Sequence, residues 1–214
     1  MIDVENLDKL SLNDFAERLS GKDPVPGGGG VSAYAAALGA AMGSMVCALT
    51  TGKKKYAATQ DELEKIIEKL EKYRERFLHG IKEDAKSFLP LAKAYSLPEE
   101  TDEERSHKVK VMEELLLEAA RTPLSLMCDI SETLVLLERL SEIGSRLALS
   151  DVGVGAAMCR AAMESASLNV FINTKYMKNR TKAEELNEEA NELVSTAAVL
   201  SEDIIAGVRE QLVD

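Results

Sequence analysis

After Asp23 the chain carries no charge until Lys53, and the residues between are mostly Gly, Ala, Ser and Thr. A helix without a polar face has to be covered on most of its sides, so this segment predicts either the centre of a helical bundle or a membrane span. The span reading draws on Val31–Thr51, 21 residues without a charge, and on Gly39-Ala-Ala-Met-Gly43. That spacing lets two helices pack closely in lipid. Small residues, however, gain little from transfer into hydrocarbon. The segment is therefore read as a buried helix, with no membrane partner.

The rest of the chain must supply the cover. Nearly every other segment repeats its apolar residues at helical spacing, and none alternates between turn signals as a strand would. The expected class is all-α: a bundle of long amphipathic helices around small-residue-rich central helices, in a single domain over residues 1–214. Ser11 and Asp14 open a short first helix that Gly21 closes. The charge-free helix ends near Gly52. Thr59 and Glu62 have the spacing of a capping box for a third helix reaching Tyr95, with a kink at Pro90. Thr101 and Glu104 repeat that spacing for a fourth, which Pro123 bends or breaks. Beyond Gly144, Ser150 and Asp151 cap a second small-residue helix running to about Tyr176. Thr181 and Glu184 cap the last, whose stripe is Leu186, Ala190, Leu193, Ala197, Ile204 and Val208.

Composition removes several classes of function. A net charge of −11 leaves no excess of Lys and Arg to displace counterions, so no nucleic-acid partner is expected. Cys47, Cys128 and Cys159 are odd in number and widely spaced, which reads as small core residues rather than a disulfide framework or metal site. His79 and His107 belong to no metal-binding pattern. MIDVENLDKL lacks a basic stretch followed by an apolar one, so a cytoplasmic location is expected.

One carboxylate breaks an apolar seam. Seven-residue steps along the third helix pass through Leu63, Leu70, Phe77, Asp84 and Leu91. Burying an ionised carboxylate costs several kcal/mol unless it is paired, and otherwise raises its pKa. Asp84 therefore either pairs with a Lys or Arg of a neighbouring helix or serves as an acid/base in an apolar cleft. The four glycines Gly27–Gly30 before a helix suit either a linker or an anion cradle of free backbone amides. Lys53, Lys54 and Lys55 at that helix's far end complement its dipole or receive a ligand's carboxylates. Arg160 with Glu164, and Asn169 with Asn173, stand four apart on one helix, where polar pairs either brace the structure or line a polar pocket.

Together PVPGGGGVSA, LTTGKKKY, LHGIKEDAKSF, SDVGVGA and NVFIN resemble, in order and over nearly the whole chain, the formiminotetrahydrofolate cyclodeaminase and methenyltetrahydrofolate cyclohydrolase family. The resemblance implies an all-α homodimer binding a tetrahydrofolate derivative, with or without a polyglutamate tail, in clefts near the dimer interface. It places a proposed catalytic aspartate at Asp84 and a glycine-rich turn at Pro26, Gly27, Gly28 and Gly29. The family commonly has Ser where this chain has Gly30, which leaves Ser32 as the nearby hydroxyl. In animals the domain is fused to a formiminotransferase, so a separate transferase chain is expected here.

The implied chemistry is the closure of 5-formiminotetrahydrofolate to 5,10-methenyltetrahydrofolate with loss of ammonia, and the alternative is opening of the methenyl bridge by water. A non-catalytic helical oligomerisation module is the third reading, and it requires a salt-bridged, dispensable Asp84. Asp84 would move the protons, without a metal or redox cofactor beyond the folate itself. Lys53, Lys54 and Tyr56, with the glycine amides, are assigned to the glutamate tail. Ser32, Asp151, Asn169 and Asn173 complete the expected binding set.

Overall fold

The computed structural model describes residues 4–213; residues 1–3 and 214 of the expected domain lie outside them. Among the described residues six α-helices follow one another: α1 (Leu12–Leu19), α2 (Gly28–Thr50), α3 (Gln60–Ala94), α4 (Asp102–Ile143), α5 (Leu149–Tyr176) and α6 (Arg180–Val213). Short 3-10 segments span Val4–Lys9, Lys54–Thr59 and Arg146–Ala148. Among the described residues there is no strand.

The charge-free helix lies at the centre as its composition demands. α2 packs most extensively on α5 and α3, and α5 on α4 and α6. A large core of Leu, Ile, Ala, Val, Met and Phe side chains joins α2 to α6, and a smaller cluster seats Leu7 and Val25 against Ala33, Ile81 and Ala85. α2 is long and apolar enough to cross a membrane, but half of that window is buried against its neighbours. Its two spaced glycines serve two different contacts. A Cβ at Gly39 would fall 2.5 Å from Cys159 Sγ, and one at Gly43 would fall 2.8 Å from Leu70 Cδ1. Gly155 closes the same seam from α5, with its own Cβ position 3.3 Å from the Gly39 carbonyl oxygen. Two backbones can approach this closely only where side chains are missing.

Several expected boundaries shift. Ser11 caps α1 as read, its hydroxyl accepting from the Asp14 amide, and Thr101 and Glu104 form the full capping box. Thr59 does not: its hydroxyl donates to the Tyr56 carbonyl, and Glu62 is drawn across to Arg139 at 2.7 Å. Ser150 and Asp151 lie inside α5, whose first residue is Leu149 and whose N-cap is Ala148. Asn179, not Thr181, caps α6, its side-chain oxygen accepting from the Lys182 amide at 3.0 Å. Both Pro90 and Pro123 sit within continuous helices, so neither ends one. Cys47 and Cys159 are buried as expected, whereas Cys128 is exposed.

Candidate functional site

The glycines are not a turn in front of the helix. Gly27 is the N-cap and Gly28, Gly29 and Gly30 form the first turn of α2, which has no side-chain cap of its own. A helix start leaves its first amides without intrahelical partners. Here the partner comes from α3: the Asp84 carboxylate lies against the turn and accepts from the Gly30 N–H. The approach is so close that a Cβ on Gly29 would lie 1.9 Å from Asp84 Oδ1 and 2.3 Å from its Cγ. Gly29 is thus required by contact. Gly30 is roomier, its Cβ position being 3.4 Å from Pro26 Cβ. Pro26 itself is buried and follows a cis peptide bond.

The seam around Asp84 is as apolar as its spacing predicts, with Leu63, Leu70, Phe77 and Leu91 at most 1% exposed. Burial pushes the Asp84 carboxyl up to about 6, and the Gly30 N–H pulls the other way. No cation stands within ion-pair distance of it among the described residues. The lysines on either side are engaged by the N-terminal 3-10 segment, Lys82 with Asp8 at 3.0 Å and Lys86 with Glu5 at 3.1 Å. The salt-bridged alternative for Asp84 is therefore excluded. What remains is a desolvated carboxylate held by a helix N-terminus, a group suited to exchanging protons near neutrality.

α5 supplies the adjoining wall. Asn169 Nδ2 donates to the Ser165 carbonyl at 2.9 Å, and its Oδ1 lies 3.2 Å from the Cβ position of Gly28. Asn173 Nδ2 donates to the Ala119 and Asn169 carbonyls, tying α5 to α4. The buried Ser32 hydroxyl donates to the Gly28 carbonyl within its own helix. Pro26, Gly27–Gly30, Ser32, Asp84, Asn169 and Asn173 therefore gather at one end of the bundle. Arg160 and Glu164, by contrast, form an exposed network with Glu202.

Lys53, Lys54, Tyr56 and Asp151 do not join them. They stand at the other end of α2, about 34 Å away by the rise of a helix of 23 residues. There Lys53 Nζ donates to Ser145 Oγ at 3.1 Å, the Ser145 amide donates to Thr50 Oγ1 at 2.8 Å, and the Arg146 amide donates to the Tyr56 hydroxyl at 3.2 Å. That last bond holds the Tyr56 phenol below its usual range, helped by Ser145, Lys55 and Lys53. Asp151 follows in the first turn of α5. Ser145 and Arg146 escaped the sequence reading because nothing local marks them; only the fold carries them to residues some 90 positions earlier.

A cavity of about 960 Å³ opens elsewhere, between α3 and α4. It reaches Gly80, one turn before Asp84, without including the carboxylate, and Arg76 inside it pairs with Asp129 at 2.7 Å.

Residues 11–192 match the family model described as formiminotransferase-cyclodeaminase. A methenyltetrahydrofolate cyclohydrolase of Methylorubrum extorquens is 36% identical over 202 residues, covering 94% of this chain and 97% of that one. The formimidoyltransferase-cyclodeaminase of Gallus gallus is 31% identical over 87% of this chain, which spans only 34% of that protein. Among solved structures, a formiminotetrahydrofolate cyclodeaminase from Thermotoga maritima superposes with a TM-score of 0.86 at 27% identity, covering 96% of this chain and 99% of that one.

Proposed function

The chain belongs to the formiminotransferase-cyclodeaminase family of folate one-carbon enzymes, and on that premise we propose that it closes 5-formiminotetrahydrofolate to 5,10-methenyltetrahydrofolate, releasing ammonia. The observation that carries the reading is Asp84, a carboxylate without a cation partner, pressed against the first turn of α2 and raised to about 6. In the reaction N10 attacks the amidine carbon, a C–N10 bond forms, and the C–N bond to the departing nitrogen breaks. Both reacting nitrogens belong to one molecule, so holding the substrate in a ring-closing conformation supplies much of the rate.

Two proton movements remain. The ionised Asp84 takes the proton from N10 and returns it to the departing nitrogen, ending in the state in which it began. Its negative charge also stabilises the amidinium carbon during attack. No electrons are exchanged, so the chemistry requires no redox cofactor. Asn169 Oδ1, beside Gly28, is an acceptor for a substrate N–H group. A formiminotransferase supplies the substrate, and the protein works as a homodimer.

The relative from Methylorubrum extorquens supports a second reading. In that case water attacks the methenyl carbon and Asp84 accepts one of its protons; the C–N5 bond then breaks as the remaining hydroxyl proton is lost and N5 takes up a proton, which gives 10-formyltetrahydrofolate with one proton released overall. One assay separates the two. Purified protein given 5-formiminotetrahydrofolate is followed by methenyl absorbance and ammonia release, then given methenyltetrahydrofolate alone. Ammonia release with gain of absorbance supports cyclodeamination; loss of absorbance faster than in buffer supports hydrolysis. Turnover of neither folate overturns both.

A further inference from the structure

Two side-chain amides on α5 have their orientation fixed by what their nitrogens touch. Asn169 Nδ2 donates to the Ser165 carbonyl at 2.9 Å, and Asn173 Nδ2 donates to the Asn169 and Ala119 carbonyls at 2.7 and 3.0 Å. A carbonyl oxygen only accepts, so the NH2 end of each amide has to face it and the Oδ1 end has to face away. Turning Asn169 over would set oxygen against oxygen. Asn173 also braces the turn that carries Asn169, joining it to α4. The Asn169 side chain is half-buried, and its Oδ1 accepts no hydrogen bond among the described residues.

The glycines of α2 leave that oxygen open beside the carboxylate. A Cβ at Gly28 would come 3.2 Å from Asn169 Oδ1, and a Cβ at Gly29 would come 1.9 Å from Asp84 Oδ1. Consecutive Cα atoms stand about 3.8 Å apart, so the amide oxygen and the carboxylate meet neighbouring residues of one helical turn, from α5 and from α3. Both are acceptors. The Gly30 N–H, a donor at the same turn, is already given to Asp84. A small group held here is therefore asked for hydrogens. Two folates of nearly the same shape differ in what they offer: the N5 substituent of 5-formiminotetrahydrofolate ends in a protonated nitrogen, C=NH2+, whereas that of 5-formyltetrahydrofolate ends in a carbonyl oxygen, which has lone pairs only.

Resting on the cyclodeamination reading above, we propose that Asn169 Oδ1 binds the formimino nitrogen and makes the site selective for 5-formiminotetrahydrofolate over 5-formyltetrahydrofolate. The departing nitrogen keeps at least one N–H at every stage. It is C=NH2+ in the substrate, C–NH2 once N10 has added and Asp84 has taken the N10 proton, and C–NH3+ when Asp84 has returned that proton. The C–N bond then breaks and ammonia leaves with the bonding pair. Asn169 holds one of these hydrogens throughout, which turns the lone pair of the C–NH2 stage toward Asp84, where the proton waits. A formyl oxygen in the same place would face the lone pairs of Asn169 and the charge of Asp84 with no hydrogen to share. Selectivity of this kind comes from what the site leaves unpaired as much as from what it bonds.

Inhibition kinetics test this. 5-Formyltetrahydrofolate is titrated against turnover of 5-formiminotetrahydrofolate, followed by methenyl absorbance, in the wild-type protein and in Asn169→Leu, which keeps the side chain's volume and removes its amide. A closed site built around a substrate N–H excludes an analogue without one by about 10,000-fold; with Asn169 half-buried, a wild-type Ki about 100 times KM is expected. Losing a hydrogen bond to a charged donor costs about 30-fold, so Asn169→Leu should raise KM by about that factor and leave Ki unchanged or lower. A wild-type Ki within about tenfold of KM overturns the selectivity, and that comparison stands whether or not the variant folds. An Asn169→Leu protein in which KM and Ki rise together, as for a residue that only braces α5, or in which neither moves, also overturns it. Wild-type protein that releases no ammonia from 5-formiminotetrahydrofolate refutes the cyclodeamination reading itself, whereas turnover without discrimination refutes the selectivity alone.

Discussion

Replacing Gly29 by Ala adds one methyl group, and the geometry says where it goes. The new Cβ would sit 1.9 Å from Asp84 Oδ1, 2.3 Å from Cγ and 2.8 Å from Oδ2, whereas real Cβ contacts essentially never fall below 3.0 Å. The carboxylate must therefore retreat by about 1 Å at least. A displacement of about 1 Å in a group that positions or reacts with substrate costs about 100-fold in rate. The stability balance is smaller. Loss of the carboxylate from the helix start costs about 1 kcal/mol, a side chain forced about 30° off its rotamer costs about 1 kcal/mol, and Ala in place of a helical Gly returns up to about 1 kcal/mol. The expected result is a fall in kcat of about two orders of magnitude in the methenyl-absorbance assay, with less than about 2 kcal/mol lost in urea unfolding. Gly30→Ala is the comparison. Its Cβ meets nothing nearer than 3.4 Å, so it should raise Tm by a few degrees and lose far less activity than Gly29→Ala. A Gly29→Ala protein turning over within threefold of wild type would refute the reasoning, because the carboxylate's position against that turn would then not matter.

Two further outcomes follow from the Asp84 carboxyl at about 6. Its folded-state value lies above the 3.8 of an unperturbed aspartate, so the fold favours the protonated form, and wild-type stability should fall as pH rises through about 4 to 6. Asp84→Asn escapes that loss: it should unfold at higher urea than wild type at pH 8, by about 2 kcal/mol after allowance for partial exposure, and show no such advantage at pH 4. Equal stability at both pH values would show that burial does not penalise the charge. For the rate the sign is opposite. The ionised form is the one that accepts the N10 proton, so kcat/KM should climb through about pH 6 to a plateau, and Asp84→Asn should abolish the step. A wild-type profile flat between pH 5 and 8 would contradict the assignment.

Much of this molecule is legible in its sequence because two of its signals are long. The charge-free segment and the seven-residue seam each integrate over several turns, so α2 landed at the centre and Asp84 emerged as the exception in α3. Short signals fared according to their competition. Thr101 and Glu104 form their box at an exposed helix start, whereas Glu62, at the same spacing from Thr59, is taken by Arg139, 77 positions later. No local pattern could report that rival. The assignment of Lys53 and Tyr56 to the same cleft as Asp84 fails within one chain for a simpler reason: a helix of 23 residues carries its ends far apart, and that length was readable from the sequence. Ser145 and Arg146 were not, since their partners Thr50, Lys53 and Tyr56 reach them only through the packing of three helices.

The contact between Gly39 and Gly155 acts as a fulcrum. It lies 11 residues, about 16 Å, from Gly28 along α2, yet it sets how far that helix stands from α5, and hence the gap between Gly28 and Asn169. Anything that thickens the fulcrum levers the two helices apart at both ends together. The aperture beside Asp84 and the seat of Ser145 under Lys53 are then adjusted by one part of the molecule, and a change in the middle of the α2–α5 seam would retune both without touching either.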